Sequence, residues 1–275
     1  MPANACDCHC HVFGPFDRFP LADERTYHPP QATVADYLAT LERLGMSRGV
    51  LVQASAHGMD NRAMLAALNA APDMLRGVAV VDPSADHQTL QSLYDQGVRG
   101  LRFARLLDAS GNPRYKNSVD IDALPRLIDP MRRIGLHAQL WLGVAQLAEV
   151  APMIRSAGIP FVIDHLGRPD PSQGVTGAAF TLMCELAAQG HLYVKLTPYR
   201  PSLAGAPYDD MRPFHEHLLK ACPDRLVWGS DWPHINMPEG APDAGRLLDL
   251  LHEWTGDPGL MTKILATNPA RLYGF

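Results

Sequence analysis

A chain of 275 residues, 47% hydrophobic and 19% charged, is long enough to bury a large core as one α/β domain or two small ones. Its formal net charge of −5 comes with no basic stripe, which leaves nucleic acid without electrostatic capture. No apolar run approaches the roughly 20 residues of a membrane helix, so neither nucleic acid nor a membrane is an expected partner.

The first apolar stretch, residues 5–13, reads as a strand carrying His9 and His11. Side chains alternate across a strand, so both imidazoles point the same way, about 7 Å apart along the chain. The same alternation turns Cys6, Cys8 and Cys10 away from the histidines, as small buried thiols packed outside the strand. Five cysteines, three of them crowded here, do not suggest a disulfide framework. Met1-Pro-Ala-Asn leads straight into the strand without room for a signal peptide, and a reducing cytoplasm is expected.

Strand-like and helical patterns then alternate. Strands are predicted over 5–13, 48–54, 77–81, 100–104, 137–142, 161–164, 193–196 and 226–229. The amphipathic stretches between and after them cover 34–44, 61–70, 87–95, 122–134, 144–157, 178–188, 209–221 and 244–254, many closed by a glycine just before the next strand. Eight βα repeats without a linker or charge block predict one domain over 1–275, a parallel (β/α)8 TIM barrel. The long irregular stretches 14–33 and 106–119 follow strands one and four, and in such a barrel they stand over the active-site mouth.

His9, His11, Ser55, Arg102, Gln139, His165 and Asp231 all fall at or near the C-terminal ends of different strands, which a barrel gathers onto one face. Asp231, in Trp228-Gly-Ser-Asp-Trp-Pro-His234, is the expected general base. An aspartate there can also cap the following helix. Two histidines at i, i+2, a third histidine and an aspartate would satisfy zinc on paper. Strand five, however, offers only Gln139 and Trp141 at its outer end, with His137 at the wrong end, and Arg102 on strand four would repel a cation. No metal is therefore expected, one divalent ion such as zinc being the alternative.

Without a metal, His9, His11 and His165, one or more of them protonated, would polarise a carbonyl, which suits an activated ester or lactone. Arg102, Arg105, Arg168 and Arg200 point to a substrate carboxylate, although Arg105 and Arg200 read equally well as surface ion pairs. Ser55 and His57 lie close in sequence but lack a G-x-S-x-G elbow, and they read as substrate ligands.

Asp7-Cys-His-Cys-His-Val-Phe-Gly-Pro15, Val52-Gln-Ala-Ser-Ala-His-Gly-Met-Asp-Asn61, Gly100-Leu-Arg-Phe103, Ile163-Asp-His-Leu-Gly-Arg-Pro-Asp170 and Val227-Trp-Gly-Ser-Asp-Trp-Pro-His234 run in order along the chain. In these motifs the sequence resembles the amidohydrolase superfamily, specifically the amidohydrolase-2 branch of lactone hydrolases that includes 2-pyrone-4,6-dicarboxylate lactonases. The resemblance implies a distorted barrel and hydrolysis without a divalent metal. Asp231 would activate water and His9, His11 and His165 would polarise the lactone carbonyl. Arg102, Arg168, Ser55 and His57 match substrate contacts. The chain departs from the pattern at Asp108 and Pro201, which stand at family arginine positions, with Arg105 displaced, and at Trp141, which stands for a tyrosine.

The expectation is a cytoplasmic lactonase of aromatic or sugar-acid catabolism. Its substrate would be a small carboxylated lactone: pyrone-dicarboxylate-like, muconolactone-like or a sugar-acid lactone. A galactarolactone-type isomerase, a zinc-dependent hydrolase or decarboxylase of the same superfamily, and a carboxylate-binding barrel without turnover are the competing readings.

Overall fold

The strands of the computed structural model, which describes residues 1–107, 110–237 and 240–275, succeed one another around a ring in chain order. They are β1 (Cys6–Cys10), β2 (Arg48–Val52), β3 (Leu75–Ala79), β4 (Val98–Ala104), β5 (His137–Trp141), β6 (Phe161–Ile163), β7 (Leu192–Leu196) and β8 (Leu226–Trp228). Each pairs in parallel with the next. Helices α1 (Val34–Leu44), α2 (Arg62–Ala70), α3 (His87–Asp95), α4 (Leu124–Ile134), α5 (Leu147–Ser156), α6 (Ala178–Ala188), α7 (Arg212–Ala221) and α8 (Ala244–Thr255) fill the crossovers and the return from β8. The expected (β/α)8 barrel is what forms.

Local chemistry sets the helix ends. Thr33 and Asp36 bond each other's backbone N–H in a capping box that starts α1. Gly45 stops α1 at φ 66°, a left-handed conformation that costs a glycine nothing. The helices bury one apolar face, including Leu41, Leu68, Met131 and Leu186, against the outward side chains Leu51, Leu101, Leu140 and Ile163. A second core fills the barrel interior with Val50, Val52, Val78, Val162 and Val227.

Several element bounds shift by two or three residues from the sequence reading, and three differences stand out. Strand β3 begins two residues earlier and ends two earlier than predicted. The segment after α8, where the sequence pattern predicts no element, forms α9 (Pro258–Thr262), a π-turn (Lys263–Thr267) and α10 (Asn268–Tyr273). From α10 the Tyr273 ring reaches the interior core and meets His137, 5.3 Å between centroids.

The third difference bears on the site. Opposite β2, the register of β1 advances from Asp7↔Gly49 to Cys10↔Leu51, three steps against two. That extra residue is a β-bulge, and it breaks the alternation. Cys6 and Cys8 consequently face the barrel interior, among Val50 and Val52, and only Cys10 joins Tyr37 in the outer layer. The expectation that all three thiols turn away from the histidines is corrected for Cys6 and Cys8.

The ring closes between β1 and β8 through a short seam. Asp231 N–H donates to the His9 carbonyl and His11 N–H to the Trp232 carbonyl, both at 2.8 Å. Asp7 accepts from Ser230 N (2.8 Å) and Ser230 Oγ (2.6 Å). A Cβ on Gly229 would stand 2.5 Å from the Cβ of His9, so glycine permits this close approach.

Candidate active site

The seam delivers the expected base and the first two histidines to one place. Asp231 holds φ at 59° and His165 holds it at 51°, conformations uncommon for residues with a Cβ and concentrated at functional sites. Around the carboxylate, His11 Nε2 is 3.3 Å and His9 Nε2 3.6 Å from Asp231 Oδ1. The rings of His9 and His165 stand 5.0 Å apart, as do those of His9 and His11. Asp231, His9, His11 and His165 therefore form one buried cluster at the C-terminal mouth of the barrel.

Asp231 is tightly held. Its Oδ2 accepts from the Tyr199 hydroxyl and from Arg200 Nε, both at 2.6 Å. Burial pushes its pKa up, but the Arg200 charge and the surrounding imidazoles outweigh that and hold it well below the usual carboxylate range. Burial has the opposite effect on the bases, pushing His9 well down and His165 down to about 3. Both are neutral, so any hydrogen bond they give comes from an uncharged N–H. His11 Nδ1 lies 2.7 Å from the Val52 carbonyl, an acceptor only, which keeps a proton on that nitrogen. Its Nε2 is then an acceptor when the ring is neutral and a donor to Asp231 when it is protonated.

A second charged layer lies beneath. Asp164, at the tip of β6, accepts from Arg102 (3.1 Å) and Gln139 (3.2 Å) on Oδ2. Its Oδ1 lies 3.3 Å from His9 Nδ1 and 3.4 Å from the ammonium of Lys195. Lys195 comes from near the C-terminal end of β7 and is fully buried, donating to Gln139 Oε1 at 2.8 Å.

Could this cluster hold a metal? His9, His11 and Asp231 bring ligand atoms within 4.8 Å of one another, and so do His9, Asp164 and His165. Spacing allows either trio, but charge opposes it. Asp164 and Asp231 are already matched by Lys195, Arg102 and Arg200, so the cluster carries one excess positive charge before any imidazole is counted. A divalent ion would add two more in a buried volume where like charges repel strongly. The residues present do not fit it.

Above the cluster opens a cavity lined by His11, His165 and Asp231 on its floor and by Arg102, Arg168, Arg200 and Trp141 on its walls. Arg114, Tyr115 and Tyr27 complete the wall. Arg102 lies over the Trp141 ring (4.3 Å), and Tyr115 stacks on Trp141 (4.4 Å). Arg168 makes no ion pair among the described residues; burial, and then the neighbouring Arg114, press its pKa down. The two long loops meet over this mouth as expected, with Lys116 N–H donating to Thr26 Oγ1 at 3.0 Å and Tyr27 edge-on to Tyr115.

The other sequence candidates are placed differently. Gln139 lies under the floor, bonded to Asp164 and Lys195. Ser55 borders a narrow side pocket with Gln53 and Asn117, and His57 stacks on Phe13 at 5.7 Å with Nδ1 3.2 Å from the Pro20 carbonyl. Neither lines the main cavity. Arg105 points out of it, into an ion-pair cluster with Asp120, Asp122 and Glu149. Asp108, singled out by the family comparison of motifs, falls outside the described residues.

Sequence reasoning missed Lys195, Tyr199, Arg114 and Tyr115. A lysine inside the apolar run Tyr193-Val-Lys-Leu196 was a usable signal, because a strand buried on both faces has no solvent for an ammonium. Arg114 and Tyr115 reach the mouth only through a loop path that periodicity does not encode.

Comparison with known proteins agrees with this architecture. Residues 6–275 match the amidohydrolase family model. The chain is 38% identical over 278 residues to a 4-sulfomuconolactone hydrolase of Rhizobium radiobacter, covering 100% of this chain and 91% of that enzyme. It is 37% identical over 286 residues to a 2-pyrone-4,6-dicarboxylate hydrolase of Comamonas testosteroni, covering 99% of this chain and 91% of the relative. A crystal structure from Acinetobacter baumannii, described as a probable 2-pyrone-4,6-dicarboxylic acid hydrolase with citric acid bound, superposes with a TM-score of 0.83 at 26% identity, over 99% of this chain and 100% of that one. From its first strand to its last residue, the chain belongs to the amidohydrolase family, alongside lactone hydrolases.

Proposed function

We propose that this protein hydrolyses a small carboxylated lactone without a metal ion. One observation carries the reading: a buried carboxylate ringed by three imidazoles forms the floor of a cavity whose walls hold four arginines. The candidate substrates are pyrone-dicarboxylate-like and muconolactone-like lactones, in keeping with the substrates named for its relatives at 37–38% identity, and sugar-acid lactones, named for more distant ones.

Substrate carboxylate pairs with Arg168 and Arg114, whose mutual repulsion an anion relieves. A water between Asp231 and the carbonyl carbon loses its proton to Asp231 as the C–O bond forms. His165, which faces the cavity, and His9 just beneath it give N–H hydrogen bonds to the developing oxyanion, and His11 adds one only when it is protonated on Nε2. Collapse breaks the ring C–O bond, and the departing oxygen takes the proton back from Asp231. A lactone with a stabilised leaving oxygen suits donors of this strength, whereas an amide would ask for more.

The metal-free reading is supported by the charge count above, while spacing alone would allow an ion. All five cysteines are free and buried, which suits a reducing cytoplasm. No helix among the described residues is long and apolar enough to cross a membrane.

The test is a panel of pyrone, muconolactone and aldarolactone carboxylates with a pH indicator, since ring opening releases acid. Turnover of one member, lowered by at least about a hundredfold in Asp231→Asn, is the expected result. No acid release from any member would overturn the reading.

A further inference from the structure

Lys195 needs a reason to be where it is. Burying an ammonium costs several kcal/mol unless close partners compensate, and this one lies under the cavity floor, lining no part of the cavity. Its three near neighbours are Gln139 Oε1 at 2.8 Å, His9 Nδ1 at 3.2 Å and Asp164 Oδ1 at 3.4 Å.

The informative neighbour is His9. Its Nδ1 sits between Asp164 Oδ1, an acceptor at 3.3 Å, and the Lys195 ammonium, which can only donate, at 3.2 Å. Each partner asks for a different tautomer. A proton on Nδ1 would serve Asp164 but would set N–H against the ammonium, and it would aim the Nε2 lone pair at Asp231 Oδ1, 3.6 Å away. A proton on Nε2 lets Nδ1 accept from Lys195 and aims N–H at the Asp231 carboxylate. Asp164 loses little, because Arg102 and Gln139 already donate to its other oxygen. Only the second arrangement sets every donor opposite an acceptor. Among the described residues His9 Nε2 has no hydrogen-bond partner, so its N–H is uncommitted.

We propose that Lys195 is a positioning residue that locks the His9 proton on Nε2, so that this imidazole meets the reacting centre as a hydrogen-bond donor and not as a cation ligand. A ring that binds a metal through Nε2 must present a lone pair there, and its other nitrogen then donates to a carboxylate or carbonyl. Asp164 is in place for that role, and the ammonium overrides it. Lys195 thereby separates a donor site from a metal site built of the same histidines. The catalytic consequence rests on the lactonase reading above, but the tautomer does not.

Long-range proton–nitrogen NMR of wild-type protein labelled with 15N-histidine reads the tautomer directly, with His9→Gln assigning the ring. The expected spectrum shows His9 protonated on Nε2; protonation on Nδ1 overturns the proposal, whatever the enzyme's activity. Lys195→Met supplies the second arm. It should move the His9 proton to Nδ1, lower kcat about a hundredfold, the scale of losing one oxyanion donor, and leave KM within about threefold. It should also bind Zn2+ alone at least about tenfold more tightly by calorimetry, a gain that His9→Gln in the same background removes. Unchanged kcat with an unchanged His9 resonance in a folded Lys195→Met protein would overturn the proposal. If that variant does not fold, the wild-type spectrum still decides. If no lactone turns over, the spectrum and the zinc titration still test Lys195 while the functional reading fails separately.

Discussion

Arg200 Nε lies 2.6 Å from Asp231 Oδ2, and the same guanidinium donates through a second nitrogen to the Ile235 carbonyl at 3.0 Å. The proposed base is thus stored as one half of a buried ion pair, ionised but weakly basic. An incoming substrate carboxylate that shares Arg200 would loosen that hold and return basicity to Asp231 when substrate is present. Removing the arginine removes a positive charge beside the carboxylate, so the Asp231 pKa must rise. In Arg200→Met the acidic limb of kcat/KM should move to higher pH than in wild type. A pH–rate profile of both proteins checks this, and an unmoved limb would separate Asp231 from the rate.

Arg168 and Arg114 crowd together without an ion-pair partner for Arg168 among the described residues, an arrangement that serves an anion better than it serves the fold. Arg168→Met should reduce kcat/KM about tenfold to a hundredfold, the range of one to two charged hydrogen bonds. The melting temperature should stay level or rise, because a like-charge contact disappears. Paired kinetics and thermal melts read both effects. Lost stability with unaltered kinetics would make Arg168 structural.

Arg102 serves the opposite balance. Its NH2 bonds Asp164, its NH1 bonds the Gln53 carbonyl, and its plane covers Trp141. From the motif alone it reads as a substrate ligand, yet the structure also ties it into the charged layer below the floor. Arg102→Met should lower stability by about 3 kcal/mol, the lower end for breaking a buried pair, because Lys195 still faces Asp164. Urea midpoints measure it; an unchanged midpoint would show that the pair contributes nothing.

Stability should fall on mild acidification. Burial pushes His137 and His165 down to about 3 and His215 to about 4, against an unfolded value near 6.5. Below that value the unfolded chain binds protons that these native rings do not, so lowering the pH favours unfolding. Each such ring removes about 1.4 kcal/mol per pH unit until its folded pKa is reached. Asp7, raised by burial to about 6, acts in the opposite sense between about pH 6 and 4, since there the native form holds a proton the unfolded one has lost. These three histidines against one aspartate give a net loss of about 3 kcal/mol per unit between about pH 5.5 and 4.5, and His9, His57 and His234, also pushed down by burial, act in the same direction. Urea titrations at pH 7.5, 5.5 and 4.5 check the slope; a flat or rising profile would contradict the buried neutral histidines.

The barrel and the floor of its mouth were legible because each strand is a short apolar run and each floor residue is a polar side chain at its end. His9, His11, His165 and Asp231 needed no more than that. Alternation misled at β1, where the bulge between Asp7 and Cys10 turned Cys6 and Cys8 inward, a one-residue irregularity with no marker in composition. Gln139 was recognised as a strand-end polar group, but its partners come from β6 and β7, and only the closed ring brings them together. The cavity wall was least legible: Arg105 follows β4 directly yet points outward, while Arg114, ten residues past the end of β4, turns in.

The central claim is that Asp231 and the imidazoles add water to a lactone with no metal in the site. Metal-stripped enzyme, verified by elemental analysis, should be given a turned-over lactone in oxygen-18 water and the product weighed by mass spectrometry. Full activity with one heavy oxygen in the opened acid is the expected result. An unlabelled isomer as product, or activity that returns only when a divalent ion is added back, would contradict the account.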